Sequence, residues 1–92
     1  MIQSFADKET EKVWTTEKSR KFNSFLRPAL RKLIQLHAAE NLEDLKFPPG
    51  NHLELLQGNR KRQHSIRINQ QYRICFDWTD AGPGNVEIVD YH

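Results

Sequence analysis

The chain has 92 residues, of which 37% are hydrophobic and 10% aromatic, with one cysteine and a formal net charge of +2. These values are typical of one small globular domain over residues 1–92 and argue against a disordered or disulfide-stabilised chain. No apolar run is long enough to span a membrane, and the N-terminal residues lack the apolar region of a secretory signal. The four histidines show no metal-ligand spacing, so we expect a cytoplasmic protein without a metal or cofactor.

The N-terminal half of the chain predicts a short strand followed by two helices. The strand covers residues 2–5, and Ser4 is a weak capping residue for a helix from about Ala6 to Thr16. A second helix, from about Ser24 to Glu40, carries apolar side chains at three- and four-residue spacing. Its apolar positions are Leu26, Ala29, Leu30 and Leu33.

The C-terminal half predicts four antiparallel strands. A strand over residues 52–56, with Leu53 and Leu55 on one side, leads into a hairpin over residues 64–78 in which apolar and polar side chains alternate. The last strand covers residues 85–91. The predicted order is therefore β-α-α-β-β-β-β, an α+β fold with two helices packed on one face of an antiparallel sheet.

Matching the apolar faces of adjacent strands fixes the predicted register. Ile66 falls opposite Ile74, which places Arg67 directly opposite Arg73. Like charges in opposed positions destabilise a sheet, so either an anionic ligand lies at this pair or both guanidinium groups extend apart into solvent. The same matching sets three further pairs: Ile74 with Ile88, Phe76 with Val86, and Arg73 with Val89. Because the helices need the isoleucine face, we expect the opposite face, the arginine face with Arg67, Arg73 and Tyr91, to be open.

Positive charge is concentrated in one part of the sequence. No carboxylate lies between Glu54 and Asp77, whereas the same stretch carries Arg60, Lys61, Arg62, Arg67 and Arg73. A local cationic surface of this kind binds phosphate backbones. A run of charges is also typical of an ordinary solvated face, so the charge pattern alone leaves both interpretations open.

Three segments together resemble the HigB toxins of the RelE/ParE superfamily. They are PPGNHLELL, LQGNRKRQHSIRINQQYRICFDW and NVEIVDYH, and their most specific parts are SIRINQQYRICF and the terminal DYH. The resemblance implies a RelE-like fold and a bacterial type II toxin–antitoxin system, in which the toxin is an mRNA interferase that cleaves messenger RNA in the ribosomal A site. It also implies a HigA-like antitoxin with a helix-turn-helix domain, through which alone the toxin would contact operator DNA.

The resemblance also implies roles for individual residues. Arg73 matches the family arginine that contacts the scissile phosphate, and the family's catalytic terminal triplet matches Asp90, Tyr91 and His92. The residues expected to bind RNA are Arg60, Lys61, Arg62 and Arg67. Some relatives have a histidine and then a lysine before the glycine turn, where this chain has Glu54 and Gln57. Which group acts as base, and whether His52 or Glu54 takes part, therefore stays open.

Metal-independent RNA cleavage requires the residue types found here. Arginine offers a permanently charged fork to the phosphate, and histidine exchanges protons near neutral pH. Two other functions stay open: a ParE-like poison of DNA gyrase and a basic RNA-binding module without catalysis. The terminal triplet favours the endoribonuclease, because gyrase poisoning needs no acid–base pair.

Overall fold

Two α-helices precede an antiparallel sheet in the computed structural model, which describes residues 1–60 and 62–91. In this part of the chain the sheet has four strands in the order β1-β2-β3-β4. The helices are α1 (Lys8–Thr16) and α2 (Leu26–Ala38), and the strands are β1 (Glu54–Leu55), β2 (His64–Arg67), β3 (Tyr72–Thr79) and β4 (Gly82–Asp90). None of the described helices is long and apolar enough to cross a membrane.

The predicted opening strand is reduced to one parallel bridge between Phe5 and Val86. The first helix also begins later than predicted. Asp7 caps it by accepting a hydrogen bond from the Thr10 backbone N–H at 3.3 Å. The proposed capping residue Ser4 instead accepts a hydrogen bond from the Asn85 backbone N–H at 2.8 Å. The N-terminal segment is thus attached to β4 through few hydrogen bonds, too few to extend the sheet.

The core lies between α2 and the isoleucine face of the sheet, as predicted. The side chains of Ala29, Leu33 and Leu36 on α2 are fully buried. They share one cluster with the sheet residues Ile66, Ile74, Phe76 and Ile88. This burial of apolar area is the main favourable contribution to folding.

The predicted register holds at the centre of the sheet and fails near one end. Arg67 pairs with Arg73, and Arg73 pairs with Val89, as predicted. The predicted pair of Phe76 and Val86 falls at a register shift between Cys75 and Asp77, beyond which Asp77 pairs with Gly84 instead of Asn85. A β-bulge places one additional residue in β4, and Asn85 has a left-handed φ of 49° there. β4 begins at Gly82 rather than at Asn85 as predicted, because Pro83 and Gly82 also pair with Trp78 and Thr79 of β3.

The strand predicted over residues 52–56 is shorter and faces differently. β1 has only two residues, Leu55 is 55% exposed, and Leu56 is buried instead. Before β1, the fully buried Asn51 donates its amide hydrogens to the carbonyl oxygens of Leu45 and Phe47, both at 3.2 Å. Its amide oxygen accepts a hydrogen bond from Lys32 on α2. Burial, with a smaller effect of Arg31, lowers the pKa of Lys32. These contacts hold the loop before β1 against α2.

Candidate active site around Arg73

Arg73 is the second residue of β3 and is only 8% exposed. The expectation of an open arginine face is therefore wrong at this position. Arg60, in the turn between β1 and β2, extends across the sheet to Glu87 on β4, with a distance of 3.0 Å between Arg60 Nη1 and Glu87 Oε1. Cys75, the residue opposite Glu87 on this face, is fully buried. The connection after β1 thus covers part of the face.

The guanidinium group of Arg73 is held by three neighbours. Its Nη1 lies 3.1 Å from Oε1 of Glu54 on β1. Its Nε donates a hydrogen bond to Oγ of Ser65 on β2 at 2.8 Å, and its Nη2 donates to the carbonyl oxygen of His52. Hydrogen bonds between charged partners are among the stronger ones in proteins. They fix the orientation of the guanidinium plane.

The Arg67–Arg73 pair is explained by these internal contacts. Arg73 turns toward Glu54, while Arg67 donates its Nε hydrogen to the carbonyl oxygen of Asn69 at 3.1 Å. The interpretation of two solvated guanidinium groups is therefore wrong for Arg73. The pair by itself also requires no anionic ligand, because Glu54 supplies a counter-charge from outside the carboxylate-free stretch.

Tyr91 contributes the aromatic side of the site. Its ring centroid lies 5.6 Å from the guanidinium carbon of Arg73, and the residue is 43% exposed. Its backbone N–H donates to the carbonyl oxygen of Gln71 at 2.7 Å, which attaches the C-terminal end to the β2–β3 turn. A cation beside an aromatic face is attracted by the ring quadrupole, so this contact also orients Arg73.

The structure does not bring Asp90 to Arg73. Asp90 pairs across the sheet with Tyr72, and successive side chains of a strand point to opposite faces. Asp90 thus belongs to the face of Tyr72, whose ring packs on Phe25 with the centroids 4.2 Å apart. Its Oδ2 accepts a hydrogen bond from Nε2 of Gln71 at 3.0 Å. His92, the third residue of the predicted triplet, lies outside the described residues.

The residues predicted to bind RNA differ in their surroundings. Arg60 is paired with Glu87 and also donates to Gln63 at 3.1 Å. Burial alone would lower the pKa of Arg60, but the hydrogen bond to Glu87 and nearby negative charge hold it above its ordinary value. Arg62 is exposed with a left-handed φ of 77°, and Arg67 is half-buried. Lys61 lies outside the described residues.

Two side chains that hold Arg73 were not assigned from the sequence. Ser65 is fully buried and pairs with Glu54 across β1 and β2. The sequence does indicate its position, because Ser65 and Arg67 are two residues apart in one strand and therefore lie on the same face of the sheet. Glu54 departs from the family pattern, and its part in the chemistry is left open by the sequence; its side chain is 49% exposed. Together with Tyr91 it forms the solvent-accessible border of Arg73.

The described residues include no cluster of three or more His, Cys, Asp or Glu side chains placed to hold a metal ion. The site therefore consists of one buried cation, one half-exposed carboxylate and one exposed aromatic ring. This combination can bind a phosphate, accept a proton and stack on a base.

Comparison with known proteins gives matches over most of the chain. Residues 3–92 match the family model described as RelE-like toxin of type II toxin-antitoxin system HigB. The chain is 42% identical over 83 residues to Toxin HigB-1 of Vibrio cholerae, covering 88% of this chain and 87% of that protein. It is also 43% identical over 56 residues to an uncharacterized protein of Haemophilus influenzae, covering 61% and 55% of the two chains.

A solved structure supports the fold. The YoeB–YefM complex from Staphylococcus aureus contains a chain that superposes with a TM-score of 0.63 at 15% sequence identity. The match covers 100% of this chain and 98% of that one. At this identity the similarity concerns the fold alone.

Proposed function

The chain belongs to the HigB family of RelE-like toxins from type II toxin–antitoxin systems, and on this premise we propose that it is a ribosome-dependent endoribonuclease. It would cleave messenger RNA in the ribosomal A site and so inhibit translation. The observation that carries the proposal is the ion pair of the buried Arg73 with the half-exposed Glu54, bordered by the ring of Tyr91. That arrangement places phosphate-binding and proton-accepting groups side by side.

Arg73 would stabilise the charge that develops on the scissile phosphate. An arginine has five N–H donors, and three nitrogen atoms of Arg73 already donate or pair within the described residues. Two N–H groups remain to reach phosphate oxygens. Because the guanidinium is oriented before the RNA arrives, it needs little reorganisation during the reaction, and such preorganised charge is usually the largest catalytic contribution.

Glu54 would accept the proton of the attacking 2′-OH. The activated oxygen then attacks the adjacent phosphorus, and the bond to the 5′-oxygen of the next nucleotide breaks. The products are a 2′,3′-cyclic phosphate and a 5′-OH. A carboxylate next to the phosphate-binding cation lies within reach of both reacting groups. This assignment replaces Asp90 as the candidate base, since Asp90 belongs to the opposite face.

Tyr91 and His92 would complete the site. The exposed ring of Tyr91 can stack on a base, a contact worth ~1–3 kcal/mol. His92, next in the chain, is proposed as the donor of a proton to the leaving 5′-oxygen. Asp90 would act indirectly, because its hydrogen bond with Gln71 anchors the strand end that carries both residues. No step of this proposal requires a metal or cofactor.

Arg60, Lys61, Arg62 and Arg67 are proposed to dock RNA rather than to catalyse. Of the described members, Arg62 is the most accessible, and Arg60 would have to leave Glu87 to contact a phosphate directly. Substituting these residues should weaken RNA binding and reduce its salt dependence more than it slows the cleavage step.

The toxin has an antitoxin partner, as its family implies, and we propose a HigA-like protein with a helix-turn-helix domain. Operator DNA would be contacted only through that antitoxin. Ribosomes and messenger RNA are the other proposed partners, which implies a cytoplasmic location.

Purified toxin incubated with messenger RNA, with and without ribosomes, tests the proposal. Cleavage that requires ribosomes and maps to the A-site codon is expected. Cleavage of DNA by gyrase in the presence of the toxin, with intact RNA, would instead identify a gyrase poison. RNA binding without any cleavage would identify a non-catalytic module.

A further inference from the structure

Residues 8–32, from α1 to the middle of α2, carry more positive charge than the whole protein. Eight lysines and arginines and three glutamates give this segment a net charge of +5, compared with +2 for the full chain. Residues 55–76, around Arg73, carry the same net charge of +5, and the remaining residues are net negative. The protein therefore has two cationic regions, and the helical region is separate in sequence from the one around Arg73.

This charge surrounds a groove at the junction of the two helices. The groove has a volume of about 760 Å³ and is lined by Lys12, Lys18, Arg20, Thr16, Ser19 and Asn23. A second depression of about 350 Å³ shares Asn23 with it and adds Arg27. Together they form a track along the surface of the helical layer, which we call the helical groove.

The cations of the helical groove are not held in ion pairs within the described part of the chain. Within residues 1–60 and 62–91, no salt bridge involves Lys12, Lys18 or Arg20. One carboxylate lies beside the lining, since Oε2 of Glu9 accepts a hydrogen bond from Ser19 Oγ at 2.7 Å. The cations of the segment outnumber its carboxylates, and such an excess of positive charge raises the local concentration of anions.

The segment between the helices is held in a fixed shape. Ser19 Oγ accepts a hydrogen bond from the Phe22 backbone N–H at 3.0 Å. Phe22 and Phe25 are buried, and their ring centroids lie 6.0 and 4.2 Å from that of Tyr72 on β3. The groove is therefore anchored to the sheet, and binding there need not first order a loose loop.

The lining favours a nucleic acid over a protein partner. Protein interfaces are centred on buried apolar anchors such as aromatic side chains, whereas Leu26 is the one apolar side chain in the lining of the larger depression. Lysine, arginine, serine, threonine and asparagine are the side chains that contact phosphate and sugar groups. The lining thus fits a sugar–phosphate backbone.

We propose that the helical groove binds the phosphate backbone of a structured ribosomal RNA segment, distinct from the messenger RNA cleaved at Arg73. The two regions lie on different sides of the sheet, because the helices cover the isoleucine face and Arg73 belongs to the other face. One toxin molecule would contact two RNA segments at once. This inference rests on the proposed ribosome-dependent activity and adds the surface by which the toxin is held on the ribosome.

The test uses the full chain with Lys12→Gln, Lys18→Gln and Arg20→Gln combined. All three side chains are exposed, so the fold should be retained. A charge-preserving triple variant, Lys12→Arg, Lys18→Arg and Arg20→Lys, is the matched control. Lys46→Gln controls for loss of an exposed charge elsewhere, since Lys46 pairs with Glu43 outside the groove.

Affinity for purified ribosomes is measured over a range of salt concentrations, together with the single-turnover cleavage rate at saturating ribosomes. The neutralised variant should bind at least tenfold more weakly. The slope of its log affinity against log salt concentration should also be smaller by about two, because each lost phosphate contact reduces that slope by ~0.7–0.9. Its cleavage rate at saturation should match the wild type, and both controls should bind within about twofold.

Wild-type affinity and salt dependence in the neutralised variant would overturn the inference while leaving the proposed function intact. Weakened binding to the antitoxin with unchanged ribosome binding would overturn it in favour of a protein interface. A wild-type toxin that neither binds ribosomes nor cleaves messenger RNA would overturn the proposed function itself.

Discussion

The guanidinium of Arg73 lies 3.1 Å from the carboxylate of Glu54, and this ion pair joins the centre of the sheet to its edge strand. The two partners differ in exposure, with 9% of the Arg73 side chain and 49% of the Glu54 side chain accessible to solvent. A substrate phosphate would therefore reach Arg73 beside a carboxylate that is already oriented.

Replacing Glu54 with glutamine should reduce cleavage while leaving the protein folded. Glutamine keeps an oxygen that accepts a hydrogen bond from Arg73 but cannot take a proton, and loss of a general base typically costs 10²–10⁴-fold in rate. The single-turnover rate at saturating ribosomes measures the effect. Glu43→Gln is the matched control, since Glu43 pairs only with the exposed Lys46. Wild-type rates in Glu54→Gln would assign the base elsewhere.

Arg73→Ala should lose both activity and stability, because Arg73 is buried. The substitution leaves the Ser65 hydroxyl and the His52 carbonyl oxygen without this donor, and an unsatisfied buried group such as the Ser65 hydroxyl costs about 1–3 kcal/mol. Urea denaturation should show a lower free energy of unfolding. Arg73→Lys keeps the positive charge but lacks the planar guanidinium group. This variant should be more stable than Arg73→Ala, yet it should cleave at least tenfold more slowly than wild type. Full toxicity of a well-expressed Arg73→Ala protein would refute the role of Arg73.

Tyr91 should act through its ring rather than its hydroxyl. Tyr91→Phe keeps the ring near Arg73 and should cleave within about threefold of wild type. Tyr91→Ala should bind the ribosome–mRNA complex more weakly, by ~1–3 kcal/mol if one base stacks on the ring. Equal loss in both variants would instead assign the hydroxyl to the chemistry.

His64 should make the protein less stable in mild acid. Its Nδ1 is buried without a partner among the described residues, and desolvation lowers its pKa from 6.5. The unfolded chain then binds a proton more readily than the folded one, so stability is fully present above pH 6.5 and decreases as the pH falls below it. Urea denaturation between pH 5 and 7 should show a steeper loss for wild type than for His64→Phe, in which the ring cannot titrate. Equal slopes would contradict this prediction.

The hairpin register could be predicted because it depends on a local pattern. Alternation around Ile66 and Ile74 admits only one arrangement that buries both side chains, and the Arg67–Arg73 pair follows from it. The bulge at Asn85 could not be predicted in this way, because one inserted residue with a left-handed φ leaves the apolar pattern on either side unchanged.

The contacts of Arg73 depend on residues that the sequence pattern does not place. β1 has only two residues, too few to show an alternation of apolar and polar side chains in the sequence. The position of Glu54 is set instead by its pairing with Ser65 on β2. The His52 carbonyl oxygen is set by the loop that Asn51 holds against α2. Family resemblance predicts roles for Arg73, Tyr91 and Asp90 alike, and only the assembled sheet shows that Asp90 pairs with Tyr72, on the face opposite to Arg73.

The chemical identity of the RNA ends tests the central claim most directly. Messenger RNA cleaved on ribosomes by the wild type should carry a 2′,3′-cyclic phosphate on the upstream fragment and a 5′-OH on the downstream fragment, with the cut at the A-site codon. The same ends should form at least a hundredfold more slowly with Glu54→Gln. Fragments ending in a 3′-OH and a 5′-phosphate, or undiminished cleavage by Glu54→Gln, would contradict a mechanism built on the pair of Arg73 and Glu54.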